Sequence, residues 1–151
     1  MWCCTTPRYA LCGNVGTILR TALGFGVEDV ALIRPCVDLF DPRVVRASMG
    51  SMFSLRLRVY DDFARYRADY PAHALYPFML DGSCSLPEAL AGPVPERYVL
   101  VFGNEGSGLP GEFAGMGQPV RIPSNDRIDS LNLAVAAAIG IYGFTQRHGK
   151  E

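Results

Sequence analysis

The chain has 151 residues, 49% of them apolar and 19% charged, with a formal net charge of −1. That is the length of a single domain with a sizeable core, expected to span 1–151. The composition excludes a disordered chain, and the balanced charge excludes a global electrostatic pull toward nucleic acid.

Trp2 to Thr5 reads as a short strand. Asn14 is placed to cap a helix in which Val15, Ile18, Leu19, Ala22 and Leu23 recur with helical period, and Gly24 or Gly26 ends it. Asp29 to Arg34 is a strand. Asp41-Pro42 opens a helix to about Met49, a cap followed by proline at the first position. Leu55 to Tyr60 alternates leucine and arginine, which predicts a strand with one wet, basic face. Asp61 or Asp62 caps a helix that stops before Pro71. Tyr76 to Leu80 is a strand, whose Pro77 predicts an edge or a bulge. Leu86 to Leu90 forms one helical turn. Arg97 to Phe102 is apolar throughout, as a central parallel strand is. Val120 to Ile122 is a last short strand, and Ser130 caps a final helix to about Gln146. Strands alternating with helices predict an α/β fold: a mostly parallel sheet with helices on both faces.

Three clusters of glycine and polar residues stand at the ends of apolar runs. They are 14–20, 100–109 and 121–135. Strand ends of this kind are where α/β proteins build ligand sites, so three of them point to one composite site. In the second cluster, Gly103, Gly106 and Gly108 let backbone N–H groups approach a ligand. Neither the dinucleotide fingerprint nor the Walker loop is matched. Glu105 would repel phosphate and suits an arginine or a neutral or cationic ligand. Arg20, one turn into the first helix, is its candidate partner, or an ordinary surface arginine. Asn132 is an amide early in an apolar helix and requires a partner. The helix after it is apolar on nearly every side, with Gly140 and Gly143 open to close backbone approach. It must be covered by its own domain and by a second subunit, or by its own domain alone.

Thirteen of the fourteen basic residues are arginine, and seven fall between Arg34 and Arg67. Arginine suits bidentate contacts to phosphate, which makes Arg43, Arg46, Arg56 and Arg58 candidates for an RNA backbone, or a solvated face. Five cysteines (Cys3, Cys4, Cys12, Cys36 and Cys84) have no C-x-x-C pair. They fit reduced thiols in a cytoplasmic protein rather than a disulfide framework or zinc site. His73 and His148 have no acid or cysteine at ligand spacing, so no metal is expected. No signal peptide is visible, and the longest apolar-rich segment, 131–144, is too short to span a membrane.

Taken together, the clusters resemble those of the SpoU (TrmH) family of RNA ribose methyltransferases, in the SPOUT superfamily. Asn14, Gly16, Arg20 and Phe25-Gly26 match its first motif. Gly103, Glu105, Gly108 and Leu109 match its second. Ile122, Pro123, Ser130, Leu131 and Asn132 match its third. The resemblance covers about 12–146. It departs at Leu11-Cys12-Gly13, where members often carry Asp-Pro, at Ser124-Asn125, where they often carry Met and Gly, and in the N-terminal RNA-binding extension of many members, which the chain is expected to lack. It implies a C-terminal trefoil knot, a homodimer packed through the last helix, and S-adenosylmethionine as cofactor. The cofactor would lie against Phe102, Gly103, Asn104, Glu105, Gly108, Ile122, Ser130 and Leu131. The implied reaction is 2′-O-methylation of tRNA or rRNA, with Arg20 at the hydroxyl and Asn14, Glu105, Ser130 and Asn132 in support. A free arginine has a pKa above about 12, so holding the hydroxyl or phosphate ranks above acting as base. A non-catalytic RNA-binding or assembly protein on this fold, and a nucleotide-dependent enzyme on an ordinary open sheet, are the alternatives.

Overall fold

The structure, a computed structural model, describes residues 2–5, 12–104, 106–125 and 127–148, and for 2–5 and 148 the backbone alone. Glu105 and the thiols of Cys3 and Cys4 therefore lie outside the described residues. Seven parallel strands form one sheet: β1 (Trp2–Thr5), β2 (Asp29–Ile33), β3 (Arg56–Tyr60), β4 (Ala74–Phe78), β5 (Cys84–Ser85), β6 (Tyr98–Phe102) and β7 (Val120–Arg121). Their spatial order is β3-β2-β1-β6-β4-β7-β5. The helices are α1 (Cys12–Gly24), α2 (Pro42–Ser48), α3 (Phe63–Asp69), α4 (Leu86–Ala91) and α5 (Leu133–His148).

The two-residue period of the strands sorts their side chains to two faces. Val30, Leu32, Tyr76, Leu100 and Phe102 join one core, with Val15, Ile18 and Leu19 of α1, Val44 of α2 and Ile141 and Phe144 of α5. Ala31, Ile33, Leu75, Val99 and Val101 face the other, with Tyr66 of α3 and Phe113. Helices thus cover both faces. β6 is central and its last four residues are buried, because only an apolar, partly β-branched run survives burial on both sides.

Three local expectations change, and one strand is new. α1 begins at Cys12, so Asn14 lies inside its first turn and is not the cap. Cys12 and Val15, three apart, are both buried and draw the helix back onto the core. α5 begins at Leu133, and its cap is Asn132 rather than Ser130. The Asn132 Oδ1 accepts from the N–H groups of Ala134 at 2.9 Å and Val135 at 3.2 Å. Pro77 is buried in an interior strand. Met79 N–H and Leu75 C=O bond toward the β7 side, so Pro77 faces the same way, where pairing is confined to Phe78 with Val120. A proline costs little where the ladder is that short. The pair Cys84–Ser85 forms a strand that two residues could not announce.

Other signals hold. Asp41 Oδ1 accepts from Arg43 N–H and Asp62 Oδ1 from Arg65 N–H, as caps. A capping box between Ser85 and Glu88 opens α4. Gly26 has φ +77°, and Val27 N–H returns to Ala22 C=O at 2.8 Å, which closes α1. Among the described residues, no helix is long and apolar enough to cross a membrane.

Gly140 and Gly143 point inward rather than to a second subunit. A Cβ on Gly140 would lie 2.7 Å from Phe78 Cζ and 3.1 Å from Phe102 Cζ, and one on Gly143 2.9 Å from Leu90. Gly140→Ala is expected to lower stability by about 1–2 kcal/mol, since overpacking of about 1–3 outweighs the helix-propensity gain of about 1. Gly13, exposed in α1 with nothing within 4 Å of its would-be Cβ, is the control. Gly13→Ala is expected to leave stability equal or raise it by up to about 1 kcal/mol. Urea midpoints at constant slope measure both.

Candidate functional site

The carboxyl ends of β4, β6 and β7 open into a cleft of about 680 Å³. That volume suits a small-molecule site. Its floor is Phe78, Phe102, Val120, Leu133 and Ala136, and its walls are three loops. The loop after β6 is laced by one side chain. Asn104 Oδ1 accepts from the N–H groups of Gly106 at 2.9 Å and Ser107 at 2.6 Å, and its Nδ2 donates to Ser107 Oγ at 2.7 Å. Gly108 N–H returns to Asn104 C=O at 3.0 Å, with Gly108 at φ +65°. A Cβ on Gly103 would overlap the Gly108 carbonyl, so only glycine lets this loop close. The loop after β7, from Ile122 to Leu131, supplies Ser124, Asn125, Ile128, Asp129, Ser130 and Leu131.

Phe102, Gly103, Asn104, Gly108, Ile122, Ser130 and Leu131 all line this cleft. Sequence reasoning missed the third wall, Met79, Leu80 and Asp81 after β4. The available signal was the turn Leu80-Asp81-Gly82 after an apolar run. Gly82 lies so close to β7 that a Cβ would sit 2.7 Å from the Val120 carbonyl carbon.

Asn132 Nδ2 donates to Asn14 Oδ1 at 3.3 Å, across 118 positions of sequence. The amide that required a partner thus has two tasks, capping α5 and joining the first cluster to the third. Arg20 is exposed on α1 and is not part of the cleft lining. Gly16 seats α1 on α2, since a Cβ there would meet Val44 C=O at 2.6 Å. Arg20 lies one turn further along that face.

The four candidate RNA arginines separate. Arg56 opens β3, at the amino end of the sheet, opposite the cleft. It donates to Asp29 Oδ1 at 2.7 Å and Oδ2 at 2.8 Å, and to Glu28 Oε2 at 2.8 Å. The Arg56 hydrogen bond holds the Asp29 carboxyl below its usual range. β3 is an edge strand, and charges such as those of Arg56 and Arg58 keep an open edge from pairing with another chain. Arg43 forks onto Asp41 at 3.0 and 2.8 Å, which holds Asp41 far below the usual carboxylate range. Among the described residues, neither Arg46 nor Arg20 has an ion-pair partner. His73 is structural. Its Nδ1 bonds the Tyr66 hydroxyl at 2.8 Å, and burial lowers its pKa. Among the described residues, no three His, Cys, Asp or Glu side chains gather as a metal site.

Asn132→Ala is expected to cost about 1 kcal/mol, the usual worth of an N-cap. Asn132→Asp keeps the acceptor and should hold stability, while losing the donor to Asn14. Urea unfolding of the two variants separates capping from the Asn14 link.

The profile of the SpoU rRNA Methylase family matches residues 9–142. The chain is 37% identical over 140 residues to the 23S rRNA (adenosine(1067)-2′-O)-methyltransferase of Streptomyces laurentii, covering 90% of this chain and 51% of that protein. It spans about half the length of the curated relatives it matches. Among solved structures it is similar to the SpoU methyltransferase AviRb of Streptomyces viridochromogenes in complex with AdoMet. The TM-score there is 0.83 at 26% identity, covering all of this chain (100%) and 61% of that one. It is also similar to a structure described for 2-OH methylation of C/U34 on tRNA. There the TM-score is 0.84 at 28% identity, covering 99% of this chain and 98% of that one.

Proposed function

The chain belongs to the SpoU rRNA methylase family, and from that membership we propose that it is an S-adenosylmethionine-dependent 2′-O-methyltransferase of tRNA or rRNA. The observation that carries this is the cleft itself. A glycine loop with no phosphate fingerprint closes on one side, a polar loop on the other, and the first cluster is tied to the second wall through Asn14 and Asn132. The volume and the backbone-lined wall fit an adenosyl cofactor, and the AdoMet complex of the similar AviRb supports that choice.

Phe102, Gly103, Asn104, Gly108, Ile122, Ser130 and Leu131 hold the cofactor, together with Glu105. When bound, the cofactor supplies an electrophilic methyl on a sulfonium for the ribose oxygen. The N–H groups of Gly106, Ser107 and Gly108 are spent on Asn104, which fixes the shape of the loop, so little ordering remains for binding. Arg20 stays a guanidinium at neutral pH, because its ordinary pKa lies above about 12. It orients the ribose hydroxyl or the adjoining phosphate through its planar fork, and the hydroxyl proton leaves to water or an RNA phosphate. Asn14 and Asn132 hold α1 and α5 in register so that Arg20 faces the reacting oxygen. Arg46 and Arg43 contact the RNA backbone from α2 and Arg58 from the edge strand, whereas Arg56 stays on Asp29 and Glu28. The chain works as one domain in the cytoplasm, where tRNA and rRNA are modified.

Calorimetry with S-adenosylmethionine, S-adenosylhomocysteine, ATP and NAD tests the assignment. Binding of the two adenosyl ligands alone is expected; ATP or NAD binding without S-adenosylhomocysteine overturns it. Arg20→Ala is expected to lower methyl transfer by about 10²–10³-fold, the range for losing one positioned donor, with cofactor affinity unchanged. Arg20→Lys should remain nearly as inactive. Recovery of most activity in the lysine variant would assign the work to charge or base chemistry instead.

We also propose the C-terminal knot and a homodimer. β7 lies between β4 and β5, which follow each other in the chain, so the later strand enters between two earlier ones. On α5, Val135, Ile139 and Tyr142 are 48%, 37% and 55% exposed at helical spacing, and Phe25 meets the Tyr142 ring edge-on at 5.5 Å. An apolar stripe left open on an otherwise covered helix suits a second copy. Sedimentation should give a dimer at tens of micromolar, roughly the range where obligate dimers persist, and Ile139→Asp should give a monomer.

A further inference from the structure

The most exposed large apolar side chains among the described residues are Phe40 at 74%, Phe53 at 73% and Met49 at 72%. Single exposed apolar residues are ordinary. These three flank one short helix, and the fold holds each of them outward. Phe40 stands in a turn where its N–H donates to Asp38 Oδ1 at 2.9 Å. Met49 ends α2 at φ 50°. Phe53 sits in a 3-10 turn, Ser51–Ser54, whose Ser51 and Met52 are buried. Val44 and Ser48 anchor α2 itself at 0% exposure. The buried neighbours fix the backbone, so the outward rings are rigidly presented.

Between the rings run Arg43 and Arg46, both exposed. Arg43 is forked on Asp41, which leaves Arg46 as the cation of α2 without an ion-pair partner among the described residues. α2 has 7 residues and is therefore about 10 Å long, which matches about three nucleotides at 3.4 Å spacing. α1 packs on this helix through Gly16, and Arg20 lies one turn beyond that contact.

We infer that the outer face of α2 is a platform for unpaired RNA nucleotides next to the target ribose, with bases stacking on Phe40 and Phe53 and a phosphate on Arg46. This rests on the RNA methyltransferase reading and narrows its substrate class to loops, bulges or ends. Aromatic rings stack on any exposed base, whereas an A-form duplex hides its base faces. A second copy of the chain suits the surface poorly. A two-fold contact centred there would bring Arg43 and Arg46 against their own copies, and the apolar stripe of α5 carries no such charge.

The test uses the full chain saturated with S-adenosylhomocysteine, and measures anisotropy of a labelled stem–loop RNA and of a blunt duplex of equal length. Wild type is expected to favour the stem–loop. Phe40→Ala/Phe53→Ala should weaken stem–loop binding about tenfold or more, leaving duplex binding, the salt slope and cofactor affinity unchanged. Phe40→Leu/Phe53→Leu, which keeps apolar bulk and loses the rings, should be equally weak. Arg46→Ala should instead reduce the salt slope by about one. Unchanged stem–loop affinity in the double variants, a wild-type preference for duplex, or a double variant that sediments as monomer while wild type is a dimer overturns the inference. If wild type binds neither S-adenosylhomocysteine nor RNA, the methyltransferase reading falls and this one with it. Intact cofactor binding and methyl transfer with indifferent phenylalanine variants removes this inference alone.

Discussion

The cleft depends on one packing contact, the seat of α5 on a stacked pair of phenylalanines. Phe78 and Phe102 are the last residues of β4 and β6, paired in register, with ring centroids 4.4 Å apart. Gly140 lets the helix backbone come down on both rings. Two consequences follow from the same contact. The rings form the floor of the cleft, and the start of α5 is held beside α1. Asn132 can then reach Asn14, and Ser124, Asn125, Ile128 and Asp129, between β7 and α5, line the cleft. A bulkier residue at 140 would raise the helix and shift floor and amide link together.

The glycines of the second cluster act through space rather than flexibility. Gly103 is needed because the Gly108 carbonyl occupies the place of its Cβ. Once closed, the loop is held by four hydrogen bonds centred on Asn104. Preorganised in this way, the wall keeps one shape with little entropy left to lose. The neighbouring turn after β4 achieves closeness by the same means, with Gly82 against the β7 backbone.

Charge is distributed by end and edge. The carboxyl end of the sheet carries the cleft, while Arg20 of α1 and Arg46 of α2 stand without an ion-pair carboxylate among the described residues. The amino end carries Arg56, held by Glu28 and Asp29. A net charge of −1 hides this division. Association with a polyanion in such a molecule is governed by where unpaired cations stand, not by their sum.

Periodicity and turn chemistry were enough for the α/β class, the central place of 98–102, the cap at Asp41, and the two loops that became opposite walls, while the choice between Asp61 and Asp62 as a cap waited for the structure. These are local properties, written in two- and 3.6-residue repeats and in turn chemistry. The family resemblance added a reason to join the three clusters. Other features needed the folded chain. Asn14 looks like a cap from its neighbours, yet the burial of Cys12 moves the helix start. Ser130 reads as the cap and Asn132 as an amide inside the helix, yet the helix starts at buried Leu133 and Asn132 caps it. Pro77 reads as an edge signal, but its missing N–H falls where β7 barely pairs. The arginines of 43–58 look alike in sequence, and only the sheet separates Arg56, paired at the far end, from Arg46 beside α1. In each case the outcome was set by a partner distant in sequence, because burial and pairing depend on what the fold brings near.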